Sequence, residues 1–372
     1  MAEASSRIPL LIPDLPTLDE ITPYLRRIDE NRWYSNFGPL CTEFEFRLEQ
    51  FLGPSDAPPA LTTVANCTLG LELALSALDL PKGARVLVPA LTFLATATAV
   101  LRAGYTPVFA DVDSKTWMLT ASIAETALGI EPIDAILPVA AFCCSQPVGE
   151  WDRLADDHGI PVLIDAAGAL GNQAVGTNAV VAYSLHATKS LGAGEGGVVA
   201  AQDPVLIERV RRATNFGIDL NIGLATVPGT NAKMSEYHCA VGLAALDHWK
   251  QTSERRIELR ERYRHALSGE PICFQKGLEE SVVSILPIQL PARLSARQVS
   301  AELRTSGVET RTWYLPPLNH HPIFKGFPTS GPLTETQALG DSLLGLPFHT
   351  GLELEDVDFV CTKLRDILHR SA

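Results

Sequence analysis

The sequence predicts an α/β protein with a mostly parallel central sheet covered by helices on both faces, followed by a small α+β domain. From residue 61 onward, short β-branched runs alternate with longer helical stretches. The runs are apolar throughout, which is typical of parallel strands buried on both faces. A chain of 372 residues is also too long for one ordinary core. We therefore expect a large domain over residues 1–250, including an N-terminal segment, and a small domain over 251–372.

The alternation assigns the elements in order. Apolar residues at helical spacing predict helices over 68–80 and 93–102, each ending before a glycine. Strands are predicted at 85–88, 106–112, 135–139, 161–165, 180–184 and 198–201. A long helical stretch over 231–268 is expected to bridge the domains. Beyond it the pattern predicts a β-rich run at 282–290, a helix at 295–306, a strand at 308–313 and two further helices.

Composition excludes several functional classes. The net charge of −13 argues against a nucleic-acid or anionic-membrane surface. Residues 1–16 lack the basic start and long apolar core of a signal peptide, and no apolar run reaches the roughly 20 residues that span a bilayer. The seven cysteines show no CxxC and no paired spacing with histidines, so we expect reduced thiols and no metal site. These features favour a cytoplasmic enzyme.

One lysine stands in an unusual place. Lys189 follows an apolar strand, in SLHATKS (184–190), and leads into the glycine-rich run 192–197. Taken alone it would be a surface lysine. Asp165, however, lies 24 residues earlier at another strand end, and ligands of such sheets bind outside the carboxyl ends of the strands. An amine nucleophile with a separate carboxylate is what pyridoxal phosphate chemistry requires.

A candidate phosphate site precedes the first strong helix of the core. Asn66-Cys67-Thr68 could act simply as a helix N-cap, or could also bind a phosphate with backbone N–H groups and a hydroxyl. Ser184 could supply a further hydroxyl. The glycine run lacks the spacing of a nucleotide-binding loop and precedes a strand, so we expect its glycines to let the backbone pass close to a cofactor.

With these residues identified, the chain resembles the DegT/DnrJ/EryC1/StrS family of sugar aminotransferases, which depend on pyridoxal phosphate and have the fold-type I architecture. The most specific match is SLHATKSLGAGEGG (184–197), and DAAGALG (165–171), NCT (66–68) and PALTFLATATAV (89–100) support it. The resemblance implies that Lys189 forms an aldimine with the cofactor and moves the proton. It also implies that Asp165 pairs with the pyridine nitrogen and that Phe93 stacks on the ring.

The same resemblance assigns the remaining partners. Cys67 (through its backbone), Thr68 and Ser184 would bind the phosphate, and Asn215 would reach the phosphate in the neighbouring subunit. It therefore implies a homodimer with shared active sites. The implied reaction moves an amino group from glutamate or glutamine to a small keto sugar, most often one linked to a nucleotide.

Two departures from the family leave the substrate open. Gly168 stands where the family commonly has Gln or His, and Asn319 stands in place of the histidine of a Pro-Leu-His motif. A sugar dehydratase of this scaffold would carry histidine instead of Lys189, which argues against that activity. An aminotransferase acting on a cyclitol or aminobenzoate-type ketone, and a regulatory protein that binds the cofactor without turnover, remain alternatives. Arg311 and Lys233 are candidates for contacting a diphosphate, and equally for surface or interface charges.

Overall fold

The computed structural model describes residues 7–53 and 57–370. The expectation that residues 1–16 contain no signal peptide therefore falls partly on residues 1–6, outside the described residues. Thirteen strands are described: β1 (Ala60–Val64), β2 (Arg85–Pro89), β3 (Thr106–Ala110), β4 (Ala135–Ile136), β5 (Leu163–Asp165), β6 (Val180–Ser184), β7 (Gly197–Ala201), β8 (Ile218–Asp219), β9 (Leu224–Ala225), β10 (Cys273–Phe274), β11 (Leu286–Gln289), β12 (Arg311–Thr312) and β13 (Leu343–Leu346).

The twelve α-helices of the described residues are α1 (Leu18–Asn31), α2 (Pro39–Leu52), α3 (Cys67–Ala77), α4 (Leu94–Arg102), α5 (Ala121–Leu128), α6 (Val148–His158), α7 (Pro204–Thr214), α8 (Glu236–Asp247), α9 (Trp249–Ala266), α10 (Ala296–Thr305), α11 (Thr334–Ser342) and α12 (Leu354–Arg370). None of these helices is long and apolar enough to cross a membrane.

The large sheet forms in two parts that meet at β4 and β5. One part has the order β1-β7-β6-β5 and the other the order β3-β2-β4. Isolated parallel bridges at Ile136–Val162 and Val139–Asp165 join them. In the resulting seven-stranded sheet, β7 runs antiparallel to both of its neighbours and the other pairings are parallel. The predicted, mostly parallel sheet is confirmed. The strand predicted at 135–139 is shorter because Pro138 has no backbone N–H to donate.

Both faces of this sheet are buried, which explains the continuous apolar strands. On β6, Val181 and Tyr183 pack into one hydrophobic cluster, whereas Val180 and Ala182 pack into the other. The first cluster contains residues of α2, α6 and α8, and the second contains residues of α3, α4 and α7. Because successive side chains of a strand point to opposite faces, every position of a sheet covered on both sides must be apolar.

The C-terminal part contains a four-stranded antiparallel sheet with the order β10-β11-β13-β12. Its core is a third cluster, which also takes in Leu91 and Trp117 from the first half of the chain. One central strand, β13, was not predicted from the sequence, which indicated only two helices in this region. The predicted stretch at 231–268 proves to be two helices, with the break at His248. The domain boundary at residue 250 falls in the first turn of α9 and stays a prediction.

The N-terminal helices α1 and α2, which the sequence did not predict, pack on α8. The carboxylate of Glu236, the first residue of α8, accepts hydrogen bonds from the backbone N–H groups of Leu40 and Cys41, both at 2.8 Å. These are two of the donors left unpaired at the start of α2. The contact ties α2 to α8.

Candidate active site

The site begins where two adjacent parallel strands end. Asp165 is the last residue of β5 and Ser184 the last residue of β6. The Asp165 carboxylate is buried and accepts a hydrogen bond from the Thr96 hydroxyl at 2.7 Å and from the Ala167 N–H at 3.1 Å. Burial raises the pKa of Asp165, while these two bonds and the nearby Lys189 ammonium oppose the rise. The carboxylate therefore lacks a hydrogen-bonded cation to offset its burial.

Lys189 lies in the turn that follows β6. The chain folds back on itself there, with the Leu185 N–H bonded to the Gly196 carbonyl at 2.9 Å and the Ala187 N–H bonded to the Gly194 carbonyl at 2.8 Å. The Lys189 N–H closes a short turn by donating to the His186 carbonyl at 2.9 Å. The side chain is half-buried. The glycines thus present one lysine beside the strand ends, as expected.

A cradle for an anion lies at the start of α3. Asn66 caps the helix by accepting the Leu69 N–H at 2.9 Å. The N–H groups of Cys67 and Thr68 have no acceptor among the hydrogen bonds of the described residues. Such free amides at a helix start attract phosphate through both hydrogen bonding and the helix dipole.

Gly197 holds this cradle against Ser184. It is the register partner of Ser184 across β6 and β7. A Cβ added to Gly197 would lie only 2.7 Å from the Cys67 backbone nitrogen, so the close approach requires glycine. The predicted phosphate contacts of Cys67, Thr68 and Ser184 consequently share one place.

Electrostatics connect this cradle to the other two groups. Burial raises the pKa of the Cys67 thiol well above its usual value; the Asp165 carboxylate adds to the rise and the Lys189 ammonium opposes it. Charges act in this way only when they are near each other in a poorly solvated region. The structure therefore brings together five of the seven expected residues: Cys67, Thr68, Asp165, Ser184 and Lys189.

Phe93 is exposed at the start of α4. It is the residue directly before the helix, and 55% of its surface is exposed. Its carbonyl accepts the N–H of Thr96, the residue whose hydroxyl contacts Asp165. The expected stacking of the Phe93 ring on the cofactor stays a prediction.

Asn215 follows α7, and its segment reaches the start of α3 through Ala232, whose N–H bonds the Thr214 carbonyl and whose carbonyl accepts the Ala65 N–H. Its side-chain oxygen accepts a hydrogen bond from the Lys233 ammonium at 2.9 Å. No hydrogen bond of the described residues joins it to the cradle, to Asp165 or to Lys189. Its expected role in the neighbouring subunit's site stays a prediction.

The residues present fit pyridoxal phosphate. The group carries a phosphate, a ring nitrogen that can be cationic and a carbonyl that reacts with amines. The free amides of α3, the under-partnered carboxylate of Asp165 and the amine of Lys189 match these three features.

Comparison with known proteins identifies the family. Residues 17–365 match the DegT/DnrJ/EryC1/StrS aminotransferase family. The chain belongs to this family. It is 31% identical over 370 residues to the dTDP-4-amino-4,6-dideoxy-D-glucose transaminase of Escherichia coli, covering 96% of this chain and 97% of that protein. The predicted family and class of enzyme are thus confirmed.

Solved structures agree. A protein from Bacillus cereus described as a PLP-dependent aminotransferase superposes with a TM-score of 0.90 at 29% identity, covering 97% of this chain and 100% of the other. DesI, solved in the presence of its TDP-sugar product, gives a TM-score of 0.88 at 30% identity, covering 98% of this chain and 94% of the other. The fold-type I architecture is confirmed.

Three residues of this aminotransferase's site were missed at the sequence level. The Thr96 hydroxyl donates a hydrogen bond to the Asp165 carboxylate. The only feature of the sequence that could have indicated this role is its position three residues after Phe93, one helical turn away. Phe142 and Tyr314 stack with ring centroids 5.2 Å apart. Burial raises the pKa of Tyr314, and the Asp165 carboxylate adds to the rise, so the stacked pair lies beside the site. No local pattern joins residues this distant in sequence.

The two departures from the family also have a place here. A Cβ on Gly168 would lie 3.3 Å from the Cys143 sulfur, so this position is walled by Cys143. Asn319 has a buried side-chain oxygen without a hydrogen-bond partner in the described part of the chain. The neighbouring Leu318 N–H bonds the Ala90 carbonyl just beyond β2, which places Asn319 near the strand ends.

One group among the described residues has the chemistry of a metal site, although the sequence predicts none. Ligand atoms of Cys41, Glu236 and Cys239 lie within 4.8 Å of one another, and all three side chains are buried. Both oxygens of Glu236 already cap α2. Packing and capping account for this cluster, and the expected lack of a metal stays a prediction.

Proposed function

We propose that this aminotransferase moves an amino group from glutamate or glutamine to a keto sugar, namely a keto-deoxysugar linked to a nucleoside diphosphate. The observation that carries the proposal is the meeting of an amine, a buried carboxylate and a phosphate cradle at the strand ends. Relatives named for dTDP- and TDP-linked sugars, each covering more than nine-tenths of this chain, support the class of acceptor.

Pyridoxal phosphate is the cofactor of this aminotransferase, and when bound it supplies an electrophilic carbonyl and a ring that accepts electrons. Lys189 would hold it through its amine and, once the amino donor has replaced the lysine there, would move a proton between the carbon that bears the donor's amino group and the carbonyl carbon of the cofactor. Asp165 would hold a proton on the ring nitrogen, and Thr96 orients its carboxylate. The α3 amides and Ser184 would bind the phosphate. Attachment of the cofactor, protonation of its ring and binding of its phosphate would thus depend on different segments of the chain.

We also infer a cytoplasmic homodimer with shared active sites. Supporting it, four large apolar side chains are exposed around the β8–β9 hairpin: Phe216, Leu220, Ile222 and Leu224. A concentrated apolar surface of this kind is typical of an interface. Asn215 and Lys233 lie at its base, where the second subunit's cofactor would meet them.

A second candidate is a regulatory protein that binds the cofactor without turnover. A relative from Saccharopolyspora erythraea with 30% identity is named an erythromycin biosynthesis sensory transduction protein. The presence of both Lys189 and Asp165 favours turnover, because the amine and the carboxylate that proton transfer requires are both in place. An aminotransferase acting on a cyclitol-type ketone is the remaining alternative.

The test is the visible absorption spectrum of the purified protein before and after addition of glutamate or glutamine. A yellow band that disappears with one donor supports transamination and identifies that donor. Addition of dTDP-4-amino-4,6-dideoxy-D-glucose, as amine donor in the reverse direction, then tests the nucleotide-sugar class. A yellow protein that ignores every amine supports the regulatory candidate, and a protein that stays colourless with added pyridoxal phosphate contradicts both.

A further inference from the structure

An unusual pair of residues walls the site beside Asp165. Gly168 lies three residues after Asp165, and a Cβ added there would meet the Cys143 sulfur at 3.3 Å, closer than nine in ten real Cβ contacts. The nearest other atom would be the Cys143 backbone nitrogen, at an ordinary 3.5 Å. The thiol therefore occupies the direction in which a side chain at 168 would project.

The backbone at Cys143 is held in a conformation that favours glycine. Phe142 has φ of +54° and Cys143 has φ of +73°, within the short 3₁₀ turn Ala141–Cys143. Two consecutive non-glycine residues in this region are uncommon, and such strain persists only where the surroundings impose it. A side chain kept at this position despite that cost points to a role for the thiol.

The contacts of Cys143 connect the segments that carry the two candidate catalytic residues. Its segment runs beside β5, because the Ala140 N–H bonds the Asp165 carbonyl and the Asp165 N–H bonds the Pro138 carbonyl, both at 2.9 Å. On the other side, the Cys143 sulfur accepts the Ser284 N–H at 3.4 Å and lies 3.5 Å from the Ser284 hydroxyl.

Segment 282–284 in turn touches the lysine turn. The Asn172 side-chain amide donates to the carbonyls of Cys143 and Val282, both at 2.8 Å. The Ser190 hydroxyl donates to the same Val282 carbonyl at 3.5 Å. Ser190 is the residue after Lys189. A continuous set of contacts therefore runs from Asp165 through Cys143 to the Lys189 turn.

We infer that Cys143 is a positioning residue, which fixes the Asp165 segment relative to the Lys189 turn and whose sulfur crowds any side chain at 168. Cys143 and Gly168 form a reciprocal pair: the thiol fills the space that glycine leaves. The inference rests on the proposed function, since it assigns Cys143 a part in placing that reaction's two groups.

The test is a double-mutant cycle of Gly168→Ala, Cys143→Ala and the two combined, with Cys144→Ala/Gly168→Ala as the matched control. Three quantities are measured: the Tm of the cofactor-free protein, the Kd for pyridoxal phosphate, and the pH midpoint of the bound cofactor's absorbance. We expect Gly168→Ala to lower the Tm, to weaken pyridoxal phosphate binding about tenfold, and to shift the midpoint. Removing the Cys143 thiol should restore the Tm of the Gly168→Ala protein, whereas removing the Cys144 thiol should not. Cys143→Ala alone should weaken pyridoxal phosphate binding and shift the pH midpoint, because the thiol that fixes the Asp165 segment is gone.

Equal effects of Gly168→Ala in both backgrounds would overturn the reciprocal pair. Coupling in Tm with an unmoved pH midpoint would overturn the positioning role, because packing alone changes stability and not the cofactor's titration. If the Gly168→Ala protein does not fold, the reciprocal pair predicts that the Cys143→Ala/Gly168→Ala protein folds. If neither protein folds, the reciprocal pair is contradicted. A wild-type protein that binds no pyridoxal phosphate would instead contradict the proposed function. The reciprocal pair could then still be tested, because the Tm values are measured without cofactor.

Discussion

Two buried carboxylates of this aminotransferase, in the regions of Asp165 and Glu45, differ in how completely they are partnered. Glu45, on α2, receives the Thr63 N–H and hydroxyl, each at 2.8 Å, and an ion pair from Arg211 at 2.8 Å. Asp165 receives one hydroxyl and one N–H and no hydrogen-bonded cation. Buried charges that only stabilise a fold are normally fully paired. Of these two carboxylates, the less completely paired one is the one that lies at the candidate site.

The largest expected effect comes from removing the amine of Lys189, near Asp165. Lys189→Ala should lower transamination at least about 10³-fold, because no other amine of the described site residues can carry the proton. The measurement is single-turnover absorbance with the amine donor. Lys82→Ala, an exposed lysine, is the control. Wild-type rates in the Lys189 variant would remove this residue from the mechanism.

Neutralising the two carboxylates should give opposite results. Asp165→Asn should lower the rate about 10²- to 10⁴-fold, since an amide cannot hold the ring proton, with little loss of stability. Glu45→Gln should leave the rate nearly unchanged and lower the free energy of unfolding by about 2 kcal/mol, because Arg211 loses its partner. Steady-state kinetics and thermal unfolding of both variants provide the check. An inactive Glu45→Gln protein with normal stability would break the comparison.

A smaller effect is expected from the hydroxyl that orients Asp165. Thr96→Val keeps the shape of the side chain and removes a hydrogen bond to a charged group, so affinity for pyridoxal phosphate should fall about tenfold. Cofactor titration measures it. Thr98→Val on the same helix is the matched control, and equal losses in both variants would point to a general effect on α4.

The smallest effect concerns pH. Burial raises the pKa of Asp165 above its unfolded value, so the folded protein binds this proton more tightly, and stability is lost as the pH rises through the raised pKa. Cofactor-free Asp165→Asn should therefore have a slightly higher Tm than the wild type at neutral pH. The difference should vanish below about pH 4, where the carboxyl is protonated in both states. A constant difference at all pH values would show that burial of the charge is not its cause.

The difference between the two regions also explains what the sequence could predict. Asp165, Ser184 and Lys189 were found because each stands next to an apolar strand, a local signal that also fixes which edge of the sheet it occupies. Thr96 and Tyr314 were not found, because their roles depend on side-chain directions and contacts between distant segments. Glu45 was missed for the same reason.

Secondary structure follows the same division. Six of the seven strands of the large sheet were predicted from continuous apolar runs, and each overlaps its predicted position, whereas β1 (Ala60–Val64), which contains two threonines, was not predicted. The four residues of β13 (LLGL) directly follow a helix, and periodicity alone cannot separate so short a run from the end of that helix. Their identity as a strand depends on pairing with β11, more than fifty residues earlier. The break at His248 likewise has no proline or glycine to announce it.

The contact between Glu236 and the start of α2 has a practical consequence for truncated proteins. Deleting the chain through residue 41 would remove both N–H donors and leave a negatively charged side chain enclosed beside Cys239 without compensation. Limited proteolysis of the native protein should accordingly spare the α2–α8 junction. Shortened versions made for crystallisation or fusion should keep everything from the beginning of α1, since the N-terminal helices are a wall of the domain rather than an extension of it.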